Sequence, residues 1–224
     1  MYNLEFPEAH RTFEAWMTAN PSDPMGPVSD AAAYLFSELD RLRILEGEFF
    51  LHDDNFRSRQ RLRADANVAV VFQQLLVKAD RLGDVVLVRE PRNTNALFAK
   101  VLVLGLRSDY DGLIEKRYLS SLSATKKGRG LAEALLAIDP GYHDAWLAIG
   151  VENYLLSLKP APIRWVLQLA GNATDRALGL EKLRITAEKG RFLRPFAQLL
   201  LAVAALRDKN HDQAKSLLRG LSQQ

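Results

Sequence analysis

Four histidines are the side chains in this sequence best suited to catalysis or metal binding. His10, His52, His143 and His211 lie far apart, and none has a second histidine four residues away. That spacing would bring two imidazoles to one helix face, as zinc sites require. The chain has no cysteine, which excludes disulfides, thiol catalysis and cysteine-ligated zinc. The sequence therefore predicts no enzymatic activity and no cofactor.

Three further segments contain residue types that occur in reactive sites. The run 52–54, His-Asp-Asp, could hold a cation, but hard cations need more oxygen ligands, and a polar loop is the commoner use. The run 128–130, Gly-Arg-Gly, lacks the preceding strand and third glycine of a phosphate loop. The serines of 120–123 have no nearby base to activate them. An unrecognised enzyme site in the loop 49–64 remains the alternative.

A basic stretch at 57–63 follows the His-Asp-Asp run. Its arginines recur every second residue, so a helix would point successive ones about 200° apart and form no stripe. Aromatic residues that could stack on bases are not interleaved with them. With a formal net charge of only +3, the chain is expected to bind no nucleic acid. The four are Arg57, Arg59, Arg61 and Arg63.

The composition is that of an ordinary soluble globular protein. Of 224 residues, 48% are hydrophobic and 25% charged. The longest apolar run, 199–206, is far shorter than a bilayer span, and residues 1–6 do not resemble a signal peptide. We expect a soluble chain whose compartment is open: cytoplasm, or periplasm if a leader was removed upstream.

Apolar residues recur at steps of three and four throughout, whereas strand and hairpin signals are nearly absent. The sequence therefore predicts an all-α fold with short connections. The expected helices cover about 6–19, 27–46, 65–89, 94–107, 109–138 (bent near 121–123), 142–158, 162–170, 174–189, 192–207 and 211–222.

A spaced pattern recurs in these helices. A small residue is followed by residues four and three positions later, and a proline comes five residues after the last of them. Such spacing is typical of the second helix of a tetratricopeptide (TPR) unit, where the small residue permits a close crossing. A helical bundle with small residues at its crossings is the alternative. The copies are Ala9, Phe13, Trp16 and Pro21; Ala79, Gly83, Val86 and Pro91; Gly128, Ala132, Leu135 and Pro140; and Ala214, Leu218 and Leu221.

The fold class we predict is an irregular TPR-like α-α superhelix of about four repeats with one short helical insert. The prolines are not evenly spaced, and the first and last units look incomplete. We therefore expect residues 1–224 to form a single repeat domain that is a fragment of a longer chain.

Residues 146–183 carry a closer likeness. A glycine-bearing helix with Trp146, Ile149 and Gly150 ends in Leu-Ser-Leu and two prolines, and Asp175-Arg176 and Gly179-Leu180 open the next helix. This stretch resembles the eukaryotic inclusion-body-clearance protein / tetratricopeptide repeat protein 39 family. The rest of the chain is similar to bacterial TPR proteins in general. The resemblance implies an α-helical adaptor with no catalytic residues to carry over. From the residues themselves, we expect Asp175 to cap the next helix, Arg176 to reach the preceding carbonyl ends, and Gly179 to permit a close helix crossing.

The function expected from these features is a scaffold that binds a protein or peptide in a concave groove. The inner-helix positions are apolar, which argues against a Lys/Asn clamp for a C-terminal carboxylate. The alternative is a lipid- or membrane-associated adaptor that uses the insert 159–173, with Trp165 on its apolar face. The predicted groove residues are Leu147, Val151, Leu199 and Val203, with Glu152, Asn153 and Tyr154 at its rim.

Overall fold

The structure is a computed structural model that describes residues 3–44, 63–157 and 175–222. Within these ranges the regular secondary structure is helical and there is no strand, as predicted. Contacts divide the chain into two compact units, 1–131 and 132–224, which are treated separately below. The loop 49–62 with its His-Asp-Asp run, and the insert 159–173 with Trp165, lie outside the described residues.

In the first unit, short turns join α1 to α2 and α3 to α4. Helix α1 packs on α2, α2 on α3, and α3 on α4. Residues near the end of α3 contact residues near the start of α4, so the pair is antiparallel: Lys100 bonds Asp80 and Asp84. The helices are α1 Phe6–Ala19, α2 Met25–Arg41, α3 Ala66–Arg89, α4 Thr94–Asp109 and α5 Tyr118–Ile138, the last of which runs past residue 131.

Local signals set most helix ends. The prolines at 21, 91 and 140 each follow a helix by two residues, because the residue before a proline is pushed out of the helical conformation. The side chain of Asp65 accepts hydrogen bonds from the backbone N–H groups of Asn67 and Val68 and so caps the start of α3. The second helix departs from the prediction: it begins two residues earlier than expected and ends at Arg41.

The small residue of each repeat copy is buried, as the pattern predicted. Ala9, Ala79 and Ala214 are 7%, 0% and 1% exposed. A Cβ on Gly128 would lie 3.4 Å from the Cβ of Leu104, so α4 and α5 cross closely there. The later positions of the end copies are not core residues, since Trp16 and Leu218 are 50% and 42% exposed.

The prediction of one helix over residues 109–138 is wrong. A π-helical turn occupies Tyr110–Ile114, and α5 begins only at Tyr118. The buried Asp111 holds this break together: its carboxylate accepts hydrogen bonds from Arg117 and Ser120, both at 2.5 Å. The break therefore lies before the predicted bend, because the buried carboxylate draws the segment after the turn back onto it.

The core of the first unit lies between α2, α3 and α4. Its largest members are fully or almost fully buried, and the aromatic rings of Phe72 and Tyr110 stack with centroids 5.0 Å apart. The π-helical turn thus contributes to the core as well as breaking the helix. The buried cluster includes Leu35, Phe72, Leu76, Val103, Tyr110 and Ile114.

After the end of α5, the described residues of the second unit form a short 3₁₀ turn at His143–Ala145 and then four helices. Helix α6 packs on α7, α7 on α8, and α8 on α9. Asp175 caps α7 as predicted by accepting the N–H groups of Ala177 and Leu178. The ranges are α6 Trp146–Ser157, α7 Arg176–Lys189, α8 Arg194–Arg207 and α9 His211–Ser222.

Two glycines let α6 and α7 touch backbone to backbone. A Cβ on Gly179 would lie 2.7 Å from the amide nitrogen of Tyr154 and 3.1 Å from the carbonyl oxygen of Gly150. A Cβ on Gly150 would lie 3.0 Å from the amide nitrogen of Leu183. Backbone atoms cannot rotate away as side chains can, so this crossing requires glycine on both helices. The predicted close crossing at Gly179 is confirmed.

We expect Gly179→Ala to lower the free energy of unfolding by about 1–3 kcal/mol, because α6 and α7 must separate to admit the methyl group. Gly220→Ala is the control, since a Cβ there meets no atom within 4 Å. The control should be neutral, or stabilising by up to about 1 kcal/mol. Urea denaturation followed by circular dichroism measures both, and equal stability of the two variants would contradict the crossing.

A second prediction concerns Asp109, at the end of α4. Burial raises its pKa to about 7. The folded state then binds this proton more tightly than the unfolded chain, so stability falls as the pH rises from about 4 to about 7. An asparagine at this position does not ionise, so the free energy of unfolding of Asp109→Asn should rise relative to that of the wild type as the pH increases from about 5 to about 8. Because the residue keeps partial exposure, we expect this relative gain to be only about 1–3 kcal/mol. If the difference between the urea denaturation midpoints of Asp109→Asn and the wild type did not change with pH, the raised pKa of Asp109 would be refuted.

Candidate binding surface

The structure separates the four predicted groove residues into two pairs. Leu147 and Val151, on α6, are partly buried at the edge of the core that α6 forms with α7 and α8. They therefore contribute to packing within the unit. The buried residues of that core are Leu183, Ala187, Ala197 and Leu201.

Leu199 and Val203 lie on the opposite side of α8. At 3.6 residues per turn, Leu199 is about 200° around the helix from Ala197, which is in the core. Ala197 is 0% exposed and Leu199 is 39% exposed. Leu199 and Val203 therefore point away from the core of the second unit, whereas Leu147 and Val151 lie at the edge of that core.

Two residues that the sequence prediction missed extend this outward side of α8. Pro195 and Leu206, both partly exposed, fall within about 40° of Leu199 on the helix. The spacing 195, 199, 203 and 206 is the three-and-four pattern of a continuous helical stripe, and it could have been read from the sequence. We call these four residues, Pro195, Leu199, Val203 and Leu206, the α8 face.

The predicted rim residues are interior in this structure. Glu152, Asn153 and Tyr154 are 2%, 0% and 5% exposed, so a partner could not reach them without a rearrangement. The close glycine crossing explains the difference, because it brings α7 down onto the last two turns of α6. The amide of Asn153 donates a hydrogen bond to the carbonyl of Ile149, one turn earlier.

Arg176 also departs from the prediction that it would bond the carbonyls of the preceding helix. Its guanidinium forms two hydrogen bonds of 2.6 Å with the carboxylate of Asp208 and so ties the start of α7 to the end of α8. It also lies 5.8 Å from the centre of the Tyr154 ring. Burial raises the pKa of Tyr154, while the nearby arginines partly oppose that shift.

Asp144 fixes the start of α8 and hence the direction of the α8 face. Its buried carboxylate accepts the backbone N–H groups of Arg191, Phe192 and Leu193, at 2.9, 2.9 and 2.7 Å. Those amides precede the first turn of α8 and have no helical carbonyl to bond. The sequence placed Asp144 at the start of its own helix; its contact with residues almost fifty positions later had no local signal.

The turn that carries these amides is tightly packed. A Cβ on Gly190 would lie 2.5 Å from the carbonyl oxygen of Thr186 and 3.0 Å from the carboxylate of Asp144. The hydroxyl of Thr186 donates a hydrogen bond to the carbonyl of His143. The end of α7, the entry to α6 and the start of α8 are thus joined at one point.

One histidine has a partner that could orient it for acid–base chemistry. Nδ1 of His10 lies 2.5 Å from a carboxylate oxygen of Asp30, and its ring centre is 4.1 Å from that of Tyr34. Burial raises the pKa of Asp30, against the lowering effect of His10. The pair joins α1 to α2 across their interface, and we interpret it as a packing contact.

Comparison with known proteins does not assign the chain to a family. No family model, curated protein or solved structure matches it. In the described part of the chain, no cluster of three or more histidine or acidic side chains could hold a metal ion. Over the same residues, no helix combines the length and apolarity needed to cross a membrane. The α8 face is therefore argued from its geometry alone.

We expect Asp144→Ala to lower the free energy of unfolding by about 2–4 kcal/mol, because three amides lose a charged acceptor in a buried turn. Asp175→Ala is the matched control: it also removes a carboxylate that accepts backbone N–H groups, but at an exposed helix cap, and should cost about 1 kcal/mol. Chemical denaturation of both variants is the measurement. Equal losses would show that the Asp144 contact is no more than an ordinary cap.

Proposed function

We propose that the chain is a non-enzymatic scaffold of the TPR type that binds a protein or peptide through the α8 face. The observation that carries this proposal is Leu199, a large apolar side chain 39% exposed on a helix whose opposite side is fully packed. It is not isolated, since it is flanked on both sides by apolar residues of the same stripe. Contiguous exposed apolar surface of this kind often marks an interaction site.

The helix pairing supports the TPR assignment. In the first unit each helix from α1 to α3 packs against the next one along the chain, and in the second unit each helix from α6 to α8 does the same. The recurring small residue is buried in every copy of the pattern. In a repeat of this type, the first helix of each unit lines the inner surface of the array. The first helix of a TPR unit carries an apolar residue followed directly by a small one, and Leu201 and Ala202 fit those two positions in α8. Ala214, in α9, fits the small-residue position of the second helix. The α8 face would then belong to the inner surface.

The dimensions of the α8 face suit a short helical or extended segment. From Pro195 to Leu206 the helix rises about 16 Å, or three turns. All four residues are apolar, so affinity would come from burying hydrophobic side chains rather than from a charged clamp. A partner that presents apolar residues at a spacing of three and four would match them.

The lipid-associated alternative remains a prediction. Its residues, 159–173, are not among those described, and no described contact favours it over protein binding. Liposome sedimentation with the wild type and Trp165→Ala tests it separately, because a membrane adaptor would sediment at low salt and lose that property with the tryptophan.

The proposed function is tested by placing a photo-crosslinking amino acid at position 199 in cells that express the chain. The control carries the same probe at Glu188, an exposed residue of α7. We expect a crosslinked partner at 199 only, because only that position lies on the α8 face. Leu199→Asp should then weaken binding of the purified partner at least tenfold with the helical circular dichroism unchanged.

Identical crosslinked products at positions 199 and 188 would contradict the proposal. So would unchanged affinity in Leu199→Asp. Because Leu199 is not part of the core, lost binding in this variant would report on the surface itself and not on the fold.

A further inference from the structure

Helix α3 in the first unit has an exposed row of valines that its own fold does not use. Taking about 100° per residue, all four fall within an arc of about 80°. Their exposed fractions are 55%, 42%, 52% and 83% in chain order. We call Val70, Val77, Val85 and Val88 the valine ridge.

The opposite side of α3 already supplies the packing that holds the helix in place. Phe72, Leu76, Ala79 and Gly83 are buried there, about half a turn away from the ridge. Valine is a poorer helix former than alanine, leucine or lysine because its branched side chain loses rotamer freedom. Exposed valines therefore add little to the stability of α3, and they leave a large apolar surface in solvent.

Positive charge lies at the centre and along one edge of the ridge. Arg81 falls in the middle of the valine arc, and Lys78 and Arg89 fall about 20° and about 40° beyond one side of it. None of the three forms an ion pair in the described part of the chain. The ammonium group of Lys78 lies 3.9 Å from the sulfur of Met17. These cations remain available to a partner.

The other edge is acidic but already partly neutralised. Asp80 and Asp84 both bond the ammonium group of Lys100 on α4, at 2.7 and 2.6 Å. The ridge therefore presents an asymmetric charge pattern. Lys78 and Arg89, which form no ion pair with a described residue, lie on one side, and carboxylates already bonded to Lys100 lie on the other. A groove of about 570 Å³ lies over the middle of α3 and includes one valine of the ridge; its lining residues are Gln73, Gln74, Val77, Lys78, Arg81 and Leu82.

We infer that the valine ridge is a second binding surface, distinct from the α8 face, and that it takes an amphipathic helix with acidic residues along one edge. The apolar stripe of such a helix would cover the valines. Its carboxylates would pair with Lys78, Arg81 and Arg89. A basic amphipathic helix would meet the same valines but place like charges against the three cations, and the surface therefore discriminates between the two.

Two labelled 18-residue probe peptides test this inference by fluorescence anisotropy with the full chain. They share one leucine stripe, but their polar positions are glutamate in one and lysine in the other. We expect the acidic probe to bind at least tenfold more tightly at low salt, with the preference shrinking as salt rises. Lys78→Glu/Arg81→Glu should reverse the order of the two probes.

Val77→Asp/Val85→Asp should weaken the acidic probe at least tenfold while the helical circular dichroism is retained, since both valines are exposed. Leu119→Asp, at an 86% exposed leucine of α5 that belongs to neither surface, is the matched control and should leave the probe affinity unchanged. Equal binding of the two probes, or an unchanged order in the charge-reversed variant, would overturn the inference. Loss of binding in Leu199→Asp would assign the probe to the α8 face, overturning this inference while leaving the proposed function standing.

Discussion

The contact on which the second unit depends is the backbone-to-backbone crossing of Gly150 and Gly179. Any side chain at Gly179 would meet main-chain atoms of α6 within 3.1 Å. The short distance between the helices buries Glu152, Asn153 and Tyr154, and it brings the end of α7 to the entry of α6. There the carboxylate of Asp144 holds the start of α8, so the outward direction of the α8 face follows from a crossing two helices away.

The first unit uses the same constraint with less extreme geometry. Ala79 and Gly83 let α3 pack against its neighbours, and Gly128 does the same for α5. Since small residues fix which side of α3 faces inward, the valines on the other side must face outward. The two proposed surfaces are thus complementary consequences of one packing rule: each is the side of a helix that the tight crossings leave uncovered.

Buried acidic groups in this protein are engaged in holding the chain together. Asp144 and Glu38 accept backbone N–H groups from distant segments, and Asp111 binds Arg117 and Ser120 across the π-helical turn. Arg41 lowers the pKa of Glu38, chiefly through its hydrogen bonds. A carboxylate whose lone pairs are occupied in this way is a structural acceptor, which agrees with our proposal of a non-enzymatic scaffold.

The sequence by itself determined the helical class, most helix ends and the small residues at the crossings, because these depend on neighbours within a turn or two. The prolines at 21, 91 and 140 and the caps at Asp65 and Asp175 are such local signals. Only the tertiary structure decided that the helix 109–138 breaks, that Glu152 is interior and that Leu199 is not. Each of those outcomes depends on a contact with a residue distant in the sequence or on which face a neighbouring helix covers, and helical periodicity alone does not specify either.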